Sequence, residues 1–399
     1  MKKVAIIILL LVYFAIAFFA ADGERWGHEH FTIVTRITVA SALGLGAGVV
    51  LAFTGRMDNK LLGIAIFLLI VHGCILFATN PARWADNHFN LGQRVGLAGI
   101  LCLGAGLLIV TGGVDLSIGS VVGLCACVFC WTTLKLQTKM LDWLPEGTSE
   151  SSALACALLA AALITLLVGA LVGLANGILV TYVRVQAFVV TLCGLFLYRG
   201  AARSISGGEI PRIAGSVADL NAFFTGAFLG MPIYLWLLLV LFLLASVFLH
   251  LTVYGRYFYA IGSNERAARY SGINTDYYKI LAYVLCSTFA AIYALIHVVH
   301  FNSVVPSETG SFLELYAIAG AVVGGCSLRG GEGTTIGMLM GAAILVLLPN
   351  LANMWCIRSE LEQTVIGGAL LMCAIMDELL RRDVSGRDVI AWVRRWFQR

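Results

Sequence analysis

Runs of about 20 mostly apolar residues follow one another along almost the whole chain, and that is the length a helix needs to cross a bilayer. Twelve such segments can be marked, at residues 4–21, 31–53, 61–78, 93–111, 117–134, 153–181, 185–203, 232–250, 280–300, 312–326, 334–352 and 361–380. The longest polar intervals, residues 137–152, 204–230 and 252–279, are loop-sized, so no soluble domain fits between spans. The expected fold is all-α, a polytopic integral membrane helical bundle of about 12 transmembrane helices. Composition agrees, with 60% apolar and 12% charged residues against roughly 45–50% and about 25% in soluble domains.

The net charge of +4 is small, and the basic residues lie in loops and the tail rather than in one stripe, which gives no reason to expect nucleic acid. Their placement instead sets topology. If Lys2 and Lys3 face the cytoplasm, the same side collects Arg56, Lys60, Arg184, Arg256, Arg266, Arg269, Lys279, Arg329 and the arginine-rich tail, as the positive-inside rule requires. Both termini are then cytoplasmic. Met1 to Ala21 begins like a signal peptide, but its apolar run exceeds the usual core of one and a second span follows at once, so it reads as an uncleaved first helix.

Most of the eleven cysteines fall in apolar segments, where a thiol behaves as a small hydrophobe. Cys125, Cys127 and Cys130 do not share one helical face and lack a nearby His or acid, so they read as packing residues. Gly169, Gly173 and Gly177 make two overlapping GxxxG steps and Gly337 with Gly341 a third, spacings that let helices approach closely. Residues 383–399 read as a basic amphipathic cytoplasmic tail, with Val389, Trp392, Val393 and Trp396 on one face.

One stretch breaks the apolar pattern. Thr111 to Ser120 reads TGGVDLSIGS, inside a run that is otherwise apolar from Val95 to Trp131. The Gly112–Gly113 pair ends or loosens a helix, and Asp115 or Ser117 is a natural N-cap for the helix resuming at Ile118. Two readings follow: Asp115 only caps that helix near a membrane surface, or the break helps form a polar route through the bundle, where an intramembrane acid needs a partner. His297 and His300 have HxxH spacing without a carboxylate companion, and read as a wet helix end rather than a metal site. No nucleophile elbow or paired acids suggest catalysis, so no catalytic residue, metal or resident cofactor is expected.

TGGVDLSIGS resembles the signature of permease subunits of ABC importers for monosaccharides of the ribose, xylose and galactose type. Further stretches agree in the same order: NGILVTYVRVQAFVVTL from Asn176, GRYFYAIGSNERAARYSGIN from Gly255, FLELYAIAGAVVGGCSLRGGEGTTIG from Phe312, and the closing span to Leu380. Such permeases have about ten helices, so the resemblance implies an extra N-terminal hairpin at residues 1–60 ahead of a permease domain at 61–382. It also implies location in a bacterial inner membrane, a second permease as homo- or heterodimer, a periplasmic sugar-binding protein and a separate ATPase. The sequence has no GxxxxGK[ST] phosphate loop, so ATP would bind to that partner.

Within SNERAARYSGI, Ser263 or Asn264 can cap a short surface helix that Gly272 ends. By the resemblance this is the coupling helix, with Asn264, Glu265, Arg266, Ala267, Ala268, Arg269 and Gly272 meeting the ATPase. Polar or aromatic residues suited to a sugar path are Asp115, Ser117, Asn176, Gln186, Phe188, Phe312 and Glu314. The motif glycines are Gly112, Gly113, Gly119, Gly324, Gly325, Gly330 and Gly331. After Glu314-Leu315 the family pattern has an acid, whereas this chain has Tyr316. The same type of permease could carry autoinducer-2, a nucleoside or an amino acid. An ion-coupled secondary transporter using Asp115 or Glu314 is the alternative from another class, and a membrane-embedded enzyme has no site to support it.

Overall fold

The computed structural model describes residues 81–143, 150–213, 218–228 and 231–354, with positions 363, 364, 367, 368 and 371 beyond them. The expected spans at 4–21, 31–53 and 61–78, the hairpin 1–60, most of the closing span and the tail lie outside the described residues. The chain divides into two compact units, residues 86–343 and a second made of residues 1–85 and 344–399. Of the second, the continuous described parts are a few residues at the start of one helix and the end of another.

In chain order the helices are α1 Pro81–Val110, α2 Ile118–Trp143, α3 Glu150–Thr181, α4 Ala187–Ser206, α5 Ala218–Thr225, α6 Ile233–Ser246, α7 Val253–Ser263, α8 Glu265–Tyr270, α9 Thr275–Phe301, α10 Leu313–Val323 and α11 Thr335–Met354. A two-residue antiparallel pairing, Ala227–Phe228 with Met231–Pro232, joins α5 to α6, and a π-helical turn at Val247–Leu251 extends α6. Six of these stretches are long and apolar enough to span a membrane: Phe89–Val110, Ile118–Lys139, Ser152–Thr181, Ala187–Ser206, Ile233–Leu251 and Thr275–Phe301. They coincide with the six spans expected between residues 93 and 300, and the expected spans at 312–326 and 334–352 are the shorter apolar helices α10 and α11.

Burial sorts the spans. Helices α1, α2 and α9 are mostly enclosed, whereas α3, α4 and α6 turn most of their apolar surface outward, as lipid-facing helices do. Helix α2 is central, packing against α3, α4 and α9. The GxxxG series on α3 is the seam with α9: a Cβ at Gly173 would stand 2.5 Å from the Tyr283 carbonyl oxygen, and Gly169 and Gly177 meet Ala291 and Ile280 one helical repeat away. With no hydrophobic drive between helices in lipid, this backbone proximity supplies dispersion contact that larger residues would block. The third GxxxG pair, Gly337 and Gly341, faces the Gly324 and Gly320 carbonyls at the end of α10.

Candidate functional site: a broken helix, a re-entrant segment and a glycine junction

The TGGVDLSIGS break begins where α1 closes on itself. The amides of Gly112 and Gly113 bond to the carbonyls of Ile109 (2.8 Å) and Leu108 (3.2 Å), and Gly112 takes φ +81°, a left-handed conformation that glycine adopts at little cost. Asp115 then starts α2, its Oδ1 accepting from the Ser117 amide (2.7 Å) and hydroxyl (2.6 Å), while the Ser117 carbonyl accepts from Val121. Asp115 thus closes a turn just ahead of α2 while 1% exposed.

Three helices supply polar groups to the same point. Asn176 of α3 donates to Ser117 Oγ (3.1 Å) and accepts from the Tyr198 hydroxyl of α4 (2.7 Å), and the Tyr283 hydroxyl of α9 donates to the Val114 carbonyl (3.3 Å). Asp115 Oδ2 is buried without a hydrogen-bond partner among the described residues. Of the expected path residues, Asp115, Ser117 and Asn176 are brought together here. Gln186 is exposed just before α4 and makes no side-chain cap, and Phe188 beside it is 54% exposed.

Phe312 and Glu314 belong to a second feature. After α9 the chain leaves helical geometry at Asn302 (φ +53°) and returns as segment 302–312 along α2 before α10 begins. Its start is tied to the end of α4 by the Val304 amide on the Pro211 carbonyl (3.1 Å). Further on, a Cβ at Gly123 would stand 2.9 Å from the Thr309 carbonyl oxygen, and one at Gly119 would collide with the Gly310 carbonyl and the Glu314 carboxylate. Glu314 is buried in the first turn of α10, while Phe312, at φ +65°, is exposed. Arg199 of α4 donates from Nη1 to the Thr309 carbonyl and lies 3.5 Å from that of Pro306. Ser307, Glu308 and Ser311 form an exposed polar edge. Tyr316 stands half-buried one turn into α10, its carbonyl facing the Cys102 thiol of α1.

The third feature lies at the end of the bundle that carries the break. The Gly331 amide bonds to the last carbonyl of α1, Val110 (2.8 Å). Gly262, one residue before the end of α7, is wedged between that carbonyl and the Gly330–Gly331 peptide, and Gly330 (φ +85°) touches Gly112. The Tyr259 hydroxyl of α7 donates to the Gly333 carbonyl (2.6 Å), and burial pushes that phenol up to about 12, so it remains a donor. Loop 324–333 is therefore a backbone bridge between α7 and the break, closed off by Gly324 against Gly337 and carrying Gly325 at φ +97°.

From this junction α8 projects as a short helix. Asn264 caps it, its Oδ1 accepting from the Ala267 amide (3.0 Å), and Gly272 (φ +84°) ends the turn after it. Two tethers hold it to α9: Arg269 bonds to Asp276 (2.9 Å) and Thr275 (2.8 Å), and Glu265 pairs with Lys279. Glu265 and Arg269 are thus occupied within the chain and Ala268 is buried, leaving Arg266, Ala267 and Tyr270 outward, the last 92% exposed.

His300 meets the Tyr234 hydroxyl through Nδ1 (3.0 Å), and His297 stacks on Tyr293. Among the described residues no three His, Cys, Asp or Glu side chains converge as metal ligands. Cys125, Cys127 and Cys130 are free buried thiols. Several central residues escaped the sequence reading: Arg199, Tyr198, Tyr283, Thr309 and Gly262, while Lys279 was read as a topology charge and not as the partner of Glu265. Arg199 carried a signal, since it is a permanent charge inside an apolar span. The others became visible only through their partners.

Residues 87–375 match the family described as branched-chain amino acid transport system, permease component. The ribose import permease protein RbsC of Escherichia coli K12 is 35% identical over 325 residues, covering 80% of this chain and 94% of that protein. The autoinducer 2 import system permease protein LsrC of Yersinia enterocolitica is 34% identical over 286 residues, 72% of this chain and 73% of its own length. No solved structure matches.

Proposed function

The chain belongs to the permease-component family of branched-chain amino acid type transport systems, and from that premise we propose that it is the membrane-spanning subunit of an ATP-driven importer for a monosaccharide. The carrying observation is α8: a capped, tethered helix with Arg266, Ala267 and Tyr270 outward, joined through α7 and a glycine junction to the broken helix. That is a lever for a second polypeptide. ATP is hydrolysed on a separate ATPase subunit that grips α8, and no cofactor resides in this chain. A periplasmic sugar-binding protein delivers the solute, and a second permease, identical or homologous, completes the path. The chain sits in the inner membrane with both termini and α8 in the cytoplasm.

The exposed polar edge of segment 302–312 supports a path on that side. Irregular backbone at membrane depth is tolerated only against protein or a water-filled cavity, never against lipid, so Ser307, Glu308, Ser311 and Phe312 require a wet path or the second permease beside them. The break with Asp115, Ser117 and Asn176 stabilises the wall behind it. A second reading, transport of autoinducer-2 by the same architecture, is favoured by the similarity to LsrC.

The test is purification in mild detergent from the native membrane. A stoichiometric ATP-hydrolysing polypeptide should co-purify, and Arg266→Glu should reduce its retention and abolish uptake with insertion unchanged. Arg266 is the informative position because reversal at Glu265 would also break its pairing with Lys279. Solute uptake by this chain alone, driven by an ion gradient, would overturn the importer reading.

A further inference from the structure

Arg199 lies inside α4's apolar span, one turn before Arg203, and its hydrogen bonds go to main-chain carbonyls of a non-helical segment. A buried carbonyl away from water needs a donor, and a guanidinium in an apolar span needs acceptors, so each satisfies the other. Segment 302–312 is anchored at one end by the Val304 amide on Pro211 and at the other by the start of α10. Between those ends, among the described residues, the side-chain hydrogen bonds to another element are those of Arg199 alone. The Thr309 hydroxyl turns inward to the Val305 amide, inside the segment itself. Glu314 lies within electrostatic reach of the guanidinium on the side where the segment enters α10.

We infer that Arg199 is a latch: by holding the Thr309 and Pro306 carbonyls it keeps segment 302–312 seated in the glycine groove of α2, and the path opens when that hold is exchanged for water or solute hydroxyls. Gly119 and Gly123 make the seat, since a side chain at either would lift the segment. Arg199 is a positioning residue here; it acts through the segment whose other edge is exposed. The word path rests on the permease reading, but the hold on the segment does not.

The experiment reads the accessibility of the segment directly. Thr309, 9% exposed, is replaced by Cys, which leaves the carbonyl used by Arg199 in place, in the full chain with the exposed Cys156 and Cys193 changed to Ser. The protein in nanodiscs is titrated with a polar maleimide. Arg199→Met should accelerate labelling at position 309 by about tenfold or more, the loss expected for two charge-assisted bonds, with Arg199→Lys close to the parent. The buried thiols Cys125, Cys127 and Cys130 of α2 should stay unreactive, because a latch frees the segment and not the bundle. An unchanged rate at 309, or an equal rise at the α2 thiols, overturns the latch. If Arg199→Met does not fold, Arg199→Gln decides: it keeps a polar side chain in α4 but removes the charge and shortens the reach to the Thr309 and Pro306 carbonyls, so the same acceleration supports the latch and an unchanged rate refutes it. No ATPase or solute is present, so a failure here leaves the importer reading standing, and absence of a co-purifying ATPase leaves the latch standing.

Discussion

The Ser117–Asn176–Tyr198 chain makes a prediction in which the sign, more than the size, is diagnostic. Asn176→Leu keeps the side-chain volume and deletes two interhelical hydrogen bonds, to Ser117 Oγ and from the Tyr198 hydroxyl. Interhelical bonds in membrane proteins are worth about 0.6 kcal/mol on average and up to about 1.7, so the bonds themselves account for roughly 1–3 kcal/mol. The aftermath differs at the two ends. Ser117 still donates to Asp115 and loses little, whereas the Tyr198 hydroxyl, on a side chain 9% exposed, is left without its acceptor, a cost of about 1–3 kcal/mol. Tyr198→Phe in the parent should cost about 1 kcal/mol, because it strands the Asn176 carbonyl oxygen. In the Asn176→Leu background the same change removes a stranded hydroxyl and should be neutral or stabilising. Thermal unfolding of the four proteins in one detergent, followed by loss of the monodisperse peak, measures the cycle. An equal cost of Tyr198→Phe in both backgrounds would refute the chain as a coupled unit.

Asn264→Ala removes the cap of α8 and should cost about 1 kcal/mol locally, read as a roughly fivefold faster hydrogen exchange of the Ala267 to Tyr270 amides, with the spans unaffected. Gly262→Val places a branched side chain against the Val110 carbonyl and the Gly331 amide; overpacking of about 1–3 kcal/mol or more should lower thermal stability, and an unchanged melting curve would mean the junction is loose. Lys279→Met removes the partner of Glu265; because exposed pairs contribute about 0.2–1 kcal/mol, global stability should hold while ATPase retention falls.

The helices were legible because apolar length is a local property. The expected spans at 117–134 and 280–300 match helices that begin at Ile118 and Thr275, the latter earlier because Asn274 caps it through the Tyr277 amide. Helix α1 starts at Pro81 rather than at residue 93, since a stretch such as Asn87 to Arg94 is too polar for a hydropathy window yet nothing in it stops a helix. The interval 252–279 was expected to hold one short helix and holds α7 as well. The α8 cap and stop were readable from Asn264 and Gly272, because capping needs residues only a few positions apart. The polar site was half legible: Asp115, Ser117 and Asn176 stood out as polar side chains in spans, but nothing local says that Asn176 reaches Ser117, 59 positions away. Arg199 went unread although it is a charge in an apolar span, and its partners are carbonyls, which every residue has and no sequence distinguishes.

These features share one helix. The start of α2 is the broken stretch whose Gly112 touches Gly330 and whose Val114 carbonyl is held by Tyr283. Its next two turns carry Gly119 and Gly123, the seat of segment 302–312. A force applied at α8 reaches Val110 through Gly262 and the Gly330–Gly331 peptide, and these are contacts of backbone on backbone. Side-chain contacts can absorb a displacement by changing rotamer, but close-packed backbones pass it on until an element that can switch as a whole is reached. Along this route the first such element is the seated segment, whose side-chain hydrogen bonds to another element, among the described residues, come from Arg199 rather than from a helix ladder. The glycines that make α2 a poor isolated helix thus serve two places: at the break they admit loop 324–333, and further along they admit the segment that the proposed latch holds.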